Sequence, residues 1–306
     1  MTTAFPTQID RLHLPATRSG GRAFTLVELL IVIAIIALLV AVLMPALSHS
    51  RASAQSSVCL TNLRRLGVAN HIYLQTYEVF PPFRLSTFPA GGPVHVNGWG
   101  AAQPRWQWFL DQGIGPVIDP LGFTTPFGDN SVSITGRDGM TMTNRYFSDP
   151  ALSDEGVVYN IRNGAYGYNY QYLGNSRADS QPGQFDNWPV SVTRITVPSN
   201  TILIADSRGG ALPHGNHSYS LDPPQLAVSR RAARHGPNGT SSGEELGHSS
   251  IERRHLGRGN VVFVDTHAES GRLEDFGYEL DSSGQVVADG PTANNAKWSG
   301  HGRDEP

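Results

Sequence analysis

The strongest pattern in the sequence is an uninterrupted apolar run near the N-terminus. Residues 29–47 read LLIVIAIIALLVAVLMPAL, nineteen positions without a charged or hydrogen-bonding side chain. A helix of this length spans roughly 28 Å, about the thickness of the hydrocarbon layer of a bilayer. Because soluble core helices are rarely so uniform, the pattern predicts a membrane-spanning helix or an export signal.

A second helical pattern follows the apolar run. Residues that could share one helix face recur there at alternating spacings of four and three. They are Cys59, Leu63, Leu66, Asn70, Tyr73 and Tyr77, of which Asn70 is the one polar interruption of the stripe. Pro81-Pro82 ends the pattern. The two patterns predict one helix from about residue 24 to about residue 77, with a membrane segment at 24–47 and an amphipathic continuation at 48–80.

The remainder predicts an α+β protein whose head is a mostly antiparallel sheet. Residues 81–156 are rich in Gly, Pro and aromatic residues and predict an irregular loop region. The sheet is expected within 157–280, where β-branched and aromatic runs alternate with turn residues. Strands are predicted at 157–161, 165–173, 190–197 and 201–207, and a strand, tight turn and strand at 259–276. Residues 198–200 are expected to join a hairpin, and the polar tail 281–306 is expected to be loose.

Composition and charge exclude some classes of function. Lys and Arg number 23 against 26 Asp and Glu, a formal net charge of −3. Without a basic excess, no nucleic-acid partner is expected. The single cysteine, Cys59, excludes an intramolecular disulfide framework and a Cys-rich zinc site.

The residues in front of the apolar run are unusual for a simple anchor. Residues 1–23 form a basic leader, and Glu28 immediately precedes the apolar run. Placing a charged carboxylate in a membrane costs free energy, although less near the interface than at the bilayer centre. We therefore expect Glu28 to pair with a positively charged group. The alternative is a first-turn carboxylate held at the interface and favoured by the helix dipole.

The segment GGRAFTLVELLIVIAIIALLVAVLMPAL resembles the class III signal of type IV pilins and type II secretion pseudopilins. The resemblance implies that a prepilin peptidase cuts between Ala23 and Phe24 and that Phe24 is then N-methylated. It further implies that Glu28 pairs with the N-terminal amine of a neighbouring subunit, and that Pro45 bends the helix, as a mid-helix proline does. The residue before the cut is usually Gly, so Ala23 is expected to slow processing.

The same resemblance implies a structural role without enzymatic activity or a cofactor. Its partners would be the prepilin peptidase and other pilin or pseudopilin subunits. The chain would cross the inner (cytoplasmic) membrane once, with a cytoplasmic N-terminus and a periplasmic head. It would then enter a type II secretion pseudopilus or a type IV pilus-like filament, in which residues 24–47 form the core.

Two further segments resemble a pseudopilin-like group of planctomycete-type bacteria. The first segment is VCLTNLRRLGVANHIYLQTYEVFPPF. The second resembles a C-terminal motif of that group, in which a His is followed by nine residues and then by Asp-Gly. His255 and Asp265 match this spacing, and His267 follows two residues later. Thr266 replaces the motif's Gly, and because a β-branched residue disfavours positive φ, a different turn is expected. A Cys-Pro pair common in that group is absent. Asp149-Pro150 stands near its expected place, so Cys59 would lack a partner in the chain.

Alternative interpretations stay open. Ala52-Ser53-Ala54 matches a secretory cleavage site that would release a soluble protein beginning at Gln55. The head could be an envelope binding module with a ligand in the aromatic region Trp99–Trp108. It could also be a hydrolase or metal enzyme using His255, Asp265 and His267, although hydrogen bonding near a hairpin explains these three more simply.

Two other chemistries have weaker support. A G-x-S-x-G sequence at 239–243 follows a turn rather than the hydrophobic strand that a nucleophile elbow needs. Some pseudopilins of the G type hold calcium in a C-terminal loop, so calcium in the C-terminal head is left open without assigned ligands.

Overall fold

The computed structural model describes residues 24–81, 96–97, 100–101, 106–107, 110, 145–152, 165–174, 176–177, 185–186, 190–207, 219–225 and 249–304. Two compact units divide the chain, residues 1–48 and residues 49–306. The leader, the strand predicted at 157–161 and the G-x-S-x-G sequence at 239–243 lie outside the described residues.

A single long helix, α1, runs from Leu26 to Tyr77 and includes Pro45. It confirms the prediction of one helix across both patterns. At its C-terminal end, Glu78 has a positive φ of 58° and its backbone N–H donates to the carbonyl of Leu74 at 2.8 Å. A left-handed residue in this position commonly ends a helix because the chain cannot continue the helical turn.

The second half of α1 packs into the head along the predicted face. Cys59, Leu63, Leu66 and Asn70 are buried, but Tyr77 is 51% exposed and Leu74 is buried in its place. The predicted positions span eighteen residues in five turns, which is the 3.6 residues per turn of an α-helix, so Tyr77 stays in line with Cys59. Tyr77 is the last residue of α1, which Glu78 terminates, and the head covers Leu74 rather than this final position.

The described strands form one four-stranded sheet and three two-stranded ribbons. They are β1 Val96–Asn97, β2 Gly100–Ala101, β3 Tyr166–Tyr168, β4 Ser176–Arg177, β5 Phe185–Asp186, β6 Ile202–Asp206, β7 Gly259–Phe263, β8 Ala268–Gly271, β9 Glu279–Leu280 and β10 Val286–Val287. The main sheet has the order β3-β6-β7-β8, and all its pairs are antiparallel. The α+β class is confirmed.

Both faces of the central strands are covered. Val262 lies in the cluster that includes Cys59, Leu63 and Leu66 of α1, whereas its neighbour Val261 belongs to a second cluster. That second cluster is completed by C-terminal residues, namely Leu273, Phe276, Tyr278 and Trp298. Every residue of β6 and β7 is buried. Sheets covered on both faces have strands without an apolar–polar alternation, as in TILIA and NVVFV.

The segment 190–197 is not the strand that its β-branched residues predict. Val192–Arg194 and Pro198–Asn200 are short 3₁₀-helices, and β6 pairs instead with β3 and β7. The predicted hairpin across 198–200 is therefore wrong. The backbone of the segment finds other partners, because Val192 N–H donates to Glu78 O at 3.1 Å and Thr196 N–H to Gly300 O at 2.9 Å.

The predicted strand 165–173 is extended only in part. Tyr166–Tyr168 form β3, and Tyr170–Gly174 then form a π-helical turn. Asn169 lies fully buried between them, and its side-chain amide donates to the carbonyls of Ile202 at 2.8 Å and Trp298 at 3.1 Å. These long-range hydrogen bonds fix the point at which the strand ends.

Residues 281–304 differ from the loose tail that their composition predicts. Asn295 and Trp298 are fully buried. The indole N–H of Trp298 donates to Phe276 O at 2.8 Å, and the backbone N–H of Ile202 donates to Lys297 O at 2.8 Å. The tail is held because it covers the second face of the sheet, an interaction that its local polarity does not reveal.

The tight turn between β7 and β8 confirms the predicted strand–turn–strand arrangement, but Thr266 adopts an unexpected conformation. Its φ is +77°, the region that glycine favours, and its N–H donates to Phe263 O at 2.9 Å. The expectation that a β-branched residue would avoid this conformation is wrong. The turn lies close to α1, where a Cβ on Gly67 would come within 3.3 Å of Thr266 Cα.

Candidate functional site

The N-terminal site begins with a reciprocal cap on α1. The carboxylate of Glu28 accepts hydrogen bonds from the backbone N–H and the hydroxyl of Thr25, both at 2.9 Å. In return, the N–H of Glu28 donates to the Thr25 hydroxyl oxygen at 3.2 Å. This is a capping box, in which a residue three positions into the helix reaches back to the cap. Within one chain, Glu28 therefore has a local role as a helix cap.

The apolar half of α1 is not buried by the described residues of the chain. Every residue from Phe24 to Ser50 is exposed, including large aliphatic side chains. In the described part of the chain, α1 is the one helix whose length and composition suit a membrane span. Pro45 lies inside the helix, and the Ser48 hydroxyl donates to its carbonyl at 2.9 Å. Ala23 lies outside the described residues.

The three residues of the predicted C-terminal site are not brought together. Asp265 and His267 are partly exposed and hydrogen-bond to each other across the β7–β8 turn, with the ring of His267 stacked on Phe263 at 4.3 Å. His255 is buried and bonds to other carboxylates, those of Asp149 and Asp206. A metal site made of His255, Asp265 and His267 is therefore wrong, and the hairpin interpretation holds for Asp265 and His267.

His255 instead belongs to a buried cluster that we call the Cys59 cluster, formed by Cys59, Asp149, Asp206 and His255. Nε2 of His255 lies 3.1 Å from Oδ2 of Asp149 and 3.5 Å from Oδ2 of Asp206. The thiol of Cys59 donates to Oδ1 of Asp206 at 3.0 Å. One donor atom from each of the four residues lies within 4.8 Å of the others.

Each member of the Cys59 cluster comes from a different element. Cys59 projects from the buried face of α1, and Asp206 ends strand β6. Asp149 follows the 3₁₀-helix Arg145–Phe147. His255 begins a tight turn in which Leu256 and Gly257 both have positive φ, 54° and 78°, and in which the backbones of His255 and Arg258 exchange hydrogen bonds.

One guanidinium, that of Arg254, lies among the carboxylates of the cluster. Arg254 contacts Asp149 at 3.2 Å and Glu252 at 2.7 Å, and it also donates to the carbonyls of Ala165 at 3.0 Å and Ser207 at 2.7 Å. Its side chain is almost completely buried. A buried cation with this many acceptors is held in one orientation, so the charge of Arg254 is a fixed feature of the cluster.

Burial and charge shift the protonation equilibria in the cluster. Burial raises the pKa of Asp206 to about 6, a change that Arg254 opposes and the charge of Asp149 reinforces. Burial also raises the pKa of Asp149, but the hydrogen bond from His255 and the charge of Arg254 outweigh it and leave that pKa below its ordinary value. The pKa of the Cys59 thiol is raised well above its ordinary value by burial and then by the two carboxylates.

The sequence reasoning missed the two aspartates. One signal was present, since Asp206 ends the apolar run TILIAD, where a charged side chain in a buried strand requires a partner. A second signal was the position of Asp149-Pro150, near the place of the expected Cys-Pro pair. In the structure, Asp149 lies close to Cys59. The position where a second cysteine was expected is therefore near Cys59, but it is occupied by an aspartate.

The described part of the aromatic region is structural. Trp106 is fully buried, its indole N–H donates to Tyr219 O at 2.7 Å, and its ring stacks on Tyr168 at 5.6 Å. Trp99 and Trp108, the ends of the region predicted to bind a ligand, lie outside the described residues. Trp106 therefore contributes to the core rather than to a binding surface.

In a comparison with known protein families, residues 18–44 match the family model for the prokaryotic N-terminal methylation motif. No curated protein and no solved structure gives a significant match. The matched residues include Phe24 and Glu28 and most of the apolar run. The chain thus carries a prokaryotic N-terminal methylation motif leading into a long apolar helix, a combination consistent with a type IV pilin-like protein.

Proposed function

We propose that this chain is a structural pseudopilin-like subunit that is cut between Ala23 and Phe24 by a prepilin peptidase and N-methylated on Phe24. The observation that supports the proposal most directly is the difference between the two halves of α1. Its first half is apolar and exposed, and one face of its second half, from Cys59 to Leu74, is buried by the head. Together with the methylation motif at 18–44, this supports a helix used for assembly rather than a simple anchor.

Before assembly, the subunit waits in the inner membrane with its head in the periplasm. The exposed aliphatic surface of residues 26–47 is stable in lipid but not in water, because burying apolar surface is favourable by about 25 cal/mol per Å². In the filament, the corresponding helices of neighbouring subunits replace the lipid. The filament is a type II secretion pseudopilus or a related type IV pilus-like structure, and the chain acts there without catalytic chemistry.

Glu28 has a second role in this proposal, beyond its cap. Its carboxylate would stand in the apolar core of the filament, where an unpaired charge costs several kcal/mol. The ammonium group created at Phe24 of a neighbouring subunit would neutralise it. Thr25 supplies two hydrogen bonds to the same carboxylate within the chain, but it supplies no positive charge.

The capping box allows an experiment that separates the two roles of Glu28. Glu28→Gln keeps the cap, because glutamine serves equally in a capping box, but it removes the charge. Thr25→Ala removes the hydroxyl of the cap and keeps the charge. Each variant replaces the full-length protein in its host. Chemical cross-linking then measures the fraction in multimers, and mass spectrometry measures cleavage before Phe24.

We expect Glu28→Gln and Glu28→Ala to be cleaved normally but to lose about tenfold or more in multimer fraction. A factor of ten corresponds to about 1.4 kcal/mol, less than a desolvated charge pair contributes. Thr25→Ala should assemble nearly as well as the wild type. Normal assembly of Glu28→Gln would overturn the pairing with the amine and leave Glu28 as a helix cap only.

A further inference from the structure

The Cys59 cluster contains more ligand chemistry than a buried ion pair requires. It brings together a thiol, an imidazole and two carboxylates, all of them buried. These are the three side-chain types that bind zinc in proteins. Buried carboxylates commonly pair with Arg, as Asp149 does here with Arg254, and the thiol directed at Asp206 adds a metal-binding donor to this pair.

The spacing of the donor atoms matches a four-coordinate site. Zinc bonds of about 2.0–2.3 Å in a tetrahedron place neighbouring donor atoms roughly 3.3–3.8 Å apart. In the cluster, Cys59 Sγ lies 3.0 Å from Oδ1 of Asp206, whereas His255 Nε2 lies 3.5 Å from the other oxygen of Asp206, Oδ2, and 3.1 Å from Oδ2 of Asp149. One donor atom from each of the four residues lies within 4.8 Å of the others. Adjustments of about 1 Å, shared between the side chains, would bring the four donor atoms to tetrahedral spacing.

A divalent cation would also offset most of the negative charge in the cluster. A thiolate and two carboxylates carry three negative charges, and the guanidinium of Arg254, which also contacts the partly exposed carboxylate of Glu252, supplies one positive charge. With His255 neutral, as a metal ligand must be, a divalent cation supplies two more. Buried carboxylates and a thiolate are costly without such compensation.

Backbone and side-chain donors already orient the ligands. The N–H of Asn260 donates to Oδ2 of Asp206, and the N–H of Ala151 donates to Oδ1 of Asp149, both at 2.8 Å. The hydroxyl of Tyr166 donates to Cys59 Sγ at 3.4 Å. Such outer contacts fix the rotamers of ligands and are a usual part of metal sites.

From this geometry we propose that Cys59, Asp149, Asp206 and His255 bind one zinc(II) ion per chain. Zinc takes the place of the thiol proton of Cys59, which is released to solvent. The mixed sulfur, nitrogen and oxygen donor set and the tetrahedral spacing suit zinc, whereas magnesium and calcium prefer six or more oxygen ligands. The site has four protein ligands and is closed, which is typical of structural zinc. It would tie α1 to β6 and to the His255 turn inside the head.

The first test needs no substitution. The full chain is extracted from membranes in detergent, kept reduced, stripped with a chelator and dialysed. Zinc chloride is then titrated by calorimetry, and bound metal is counted by elemental analysis. We expect one zinc ion per chain, unaffected by excess magnesium. Failure of the stripped chain to bind zinc, while the fluorescence of its buried Trp106 and Trp298 remains native, would overturn the proposal.

The second test identifies the ligands. Cobalt(II) in place of zinc should give a thiolate-to-cobalt charge-transfer band and the intense visible bands of a tetrahedral site. Cys59→Ser should abolish the charge-transfer band, and it should weaken zinc binding beyond the ~10–100-fold typical of a lost outer contact. His255→Gln should weaken binding similarly. His267→Gln is the matched control, because that histidine is exposed and paired with Asp265, and it should change nothing.

The outcomes are decisive in both directions. Loss of binding in Cys59→Ser and His255→Gln, with retention in His267→Gln and native tryptophan fluorescence in all three, supports the site. Equal zinc uptake by the Cys59 and His255 variants and the wild type would place the metal elsewhere and overturn it. The outcome does not depend on cleavage before Phe24 or on assembly, so the zinc proposal and the proposed function stand or fall separately.

Discussion

Gly67 of α1 offers a sharp test of how the helix contacts the sheet. A Cβ at this position would lie 2.8 Å from Val262 Cγ2 and 3.3 Å from Thr266 Cα. Ordinary contacts are close to 3.5–4.0 Å, so the helix or the fully buried Val262 must move by several tenths of an ångström. Such overpacking costs about 1–3 kcal/mol. Replacing glycine by alanine within a helix gains only about 1 kcal/mol.

We therefore expect Gly67→Ala to lower the free energy of unfolding by about 1 kcal/mol, although alanine is the better helix former. The free energy is measured on the full chain in detergent by urea unfolding, followed by the fluorescence of the buried Trp106 and Trp298. Val68→Ala is the matched control. Val68 is 49% exposed on the neighbouring helix position, so this substitution should be neutral or slightly stabilising.

A double-mutant cycle identifies the contact responsible. Val262→Ala removes the methyl group nearest to the added Cβ, so Gly67→Ala should become neutral or stabilising in that background. The expected coupling is about 1–2 kcal/mol. If Gly67→Ala stabilises the wild-type protein by the full helix-propensity gain, the close approach of α1 to β7 is refuted. The same conclusion follows if the two substitutions are additive.

Three further predictions concern the head and use the same unfolding assay. Thr266→Asn should raise the free energy of unfolding by about 0.5–1 kcal/mol, because asparagine tolerates the positive φ of the β7–β8 turn better; a loss of stability would contradict strain there. Leu256→Asn should stabilise by a similar amount, because Leu256 and Gly257 occupy a turn with two positive φ angles, and no gain would argue against that turn. Trp298→Ala should cost about 3–5 kcal/mol, as for other buried aromatic residues. A loss below about 1 kcal/mol would show that the tail is loose after all.

The long helix could be predicted from the sequence because its signals are local and continuous. The apolar run and the four-three stripe each report on neighbouring turns of one element. The exchange of Tyr77 for Leu74 on the buried face occurs in the last turn of α1, where contacts with the head, rather than the helical spacing, decide which residue is covered. The turn between β7 and β8 was likewise visible as two short runs with turn residues between them.

The errors arose where distant residues decide the structure. The β-branched residues of 190–197 predict a strand, but the backbone there bonds to Glu78 and to Gly300. The tail 281–304 has a polar composition, but Trp298 covers the second face of the sheet. A sign of this cover was available, because β6 and β7 are apolar at successive positions, as expected only when both faces are buried.

Among the candidate functional residues, too, those in a local motif could be predicted from the sequence, and those brought together by the fold could not. Phe24 and Glu28 lie in a contiguous motif, so a local pattern was sufficient to propose them. The Cys59 cluster draws its members from four elements separated by as many as 196 positions in the sequence, between Cys59 and His255. Spacing along the chain associated His255 with Asp265 and His267, but the fold directs its side chain to Asp149 and Asp206.

The central claim is that the methylation motif is processed and that the apolar helix stays attached to the head. Mass spectrometry of the N-terminus of the membrane-extracted protein tests it most directly. The account predicts a chain that begins at Phe24 and carries an N-methyl group. A chain beginning at Gln55 would mean secretory cleavage and a released head, and an intact Met1 would mean that Ala23 prevents cleavage; either result would contradict the account.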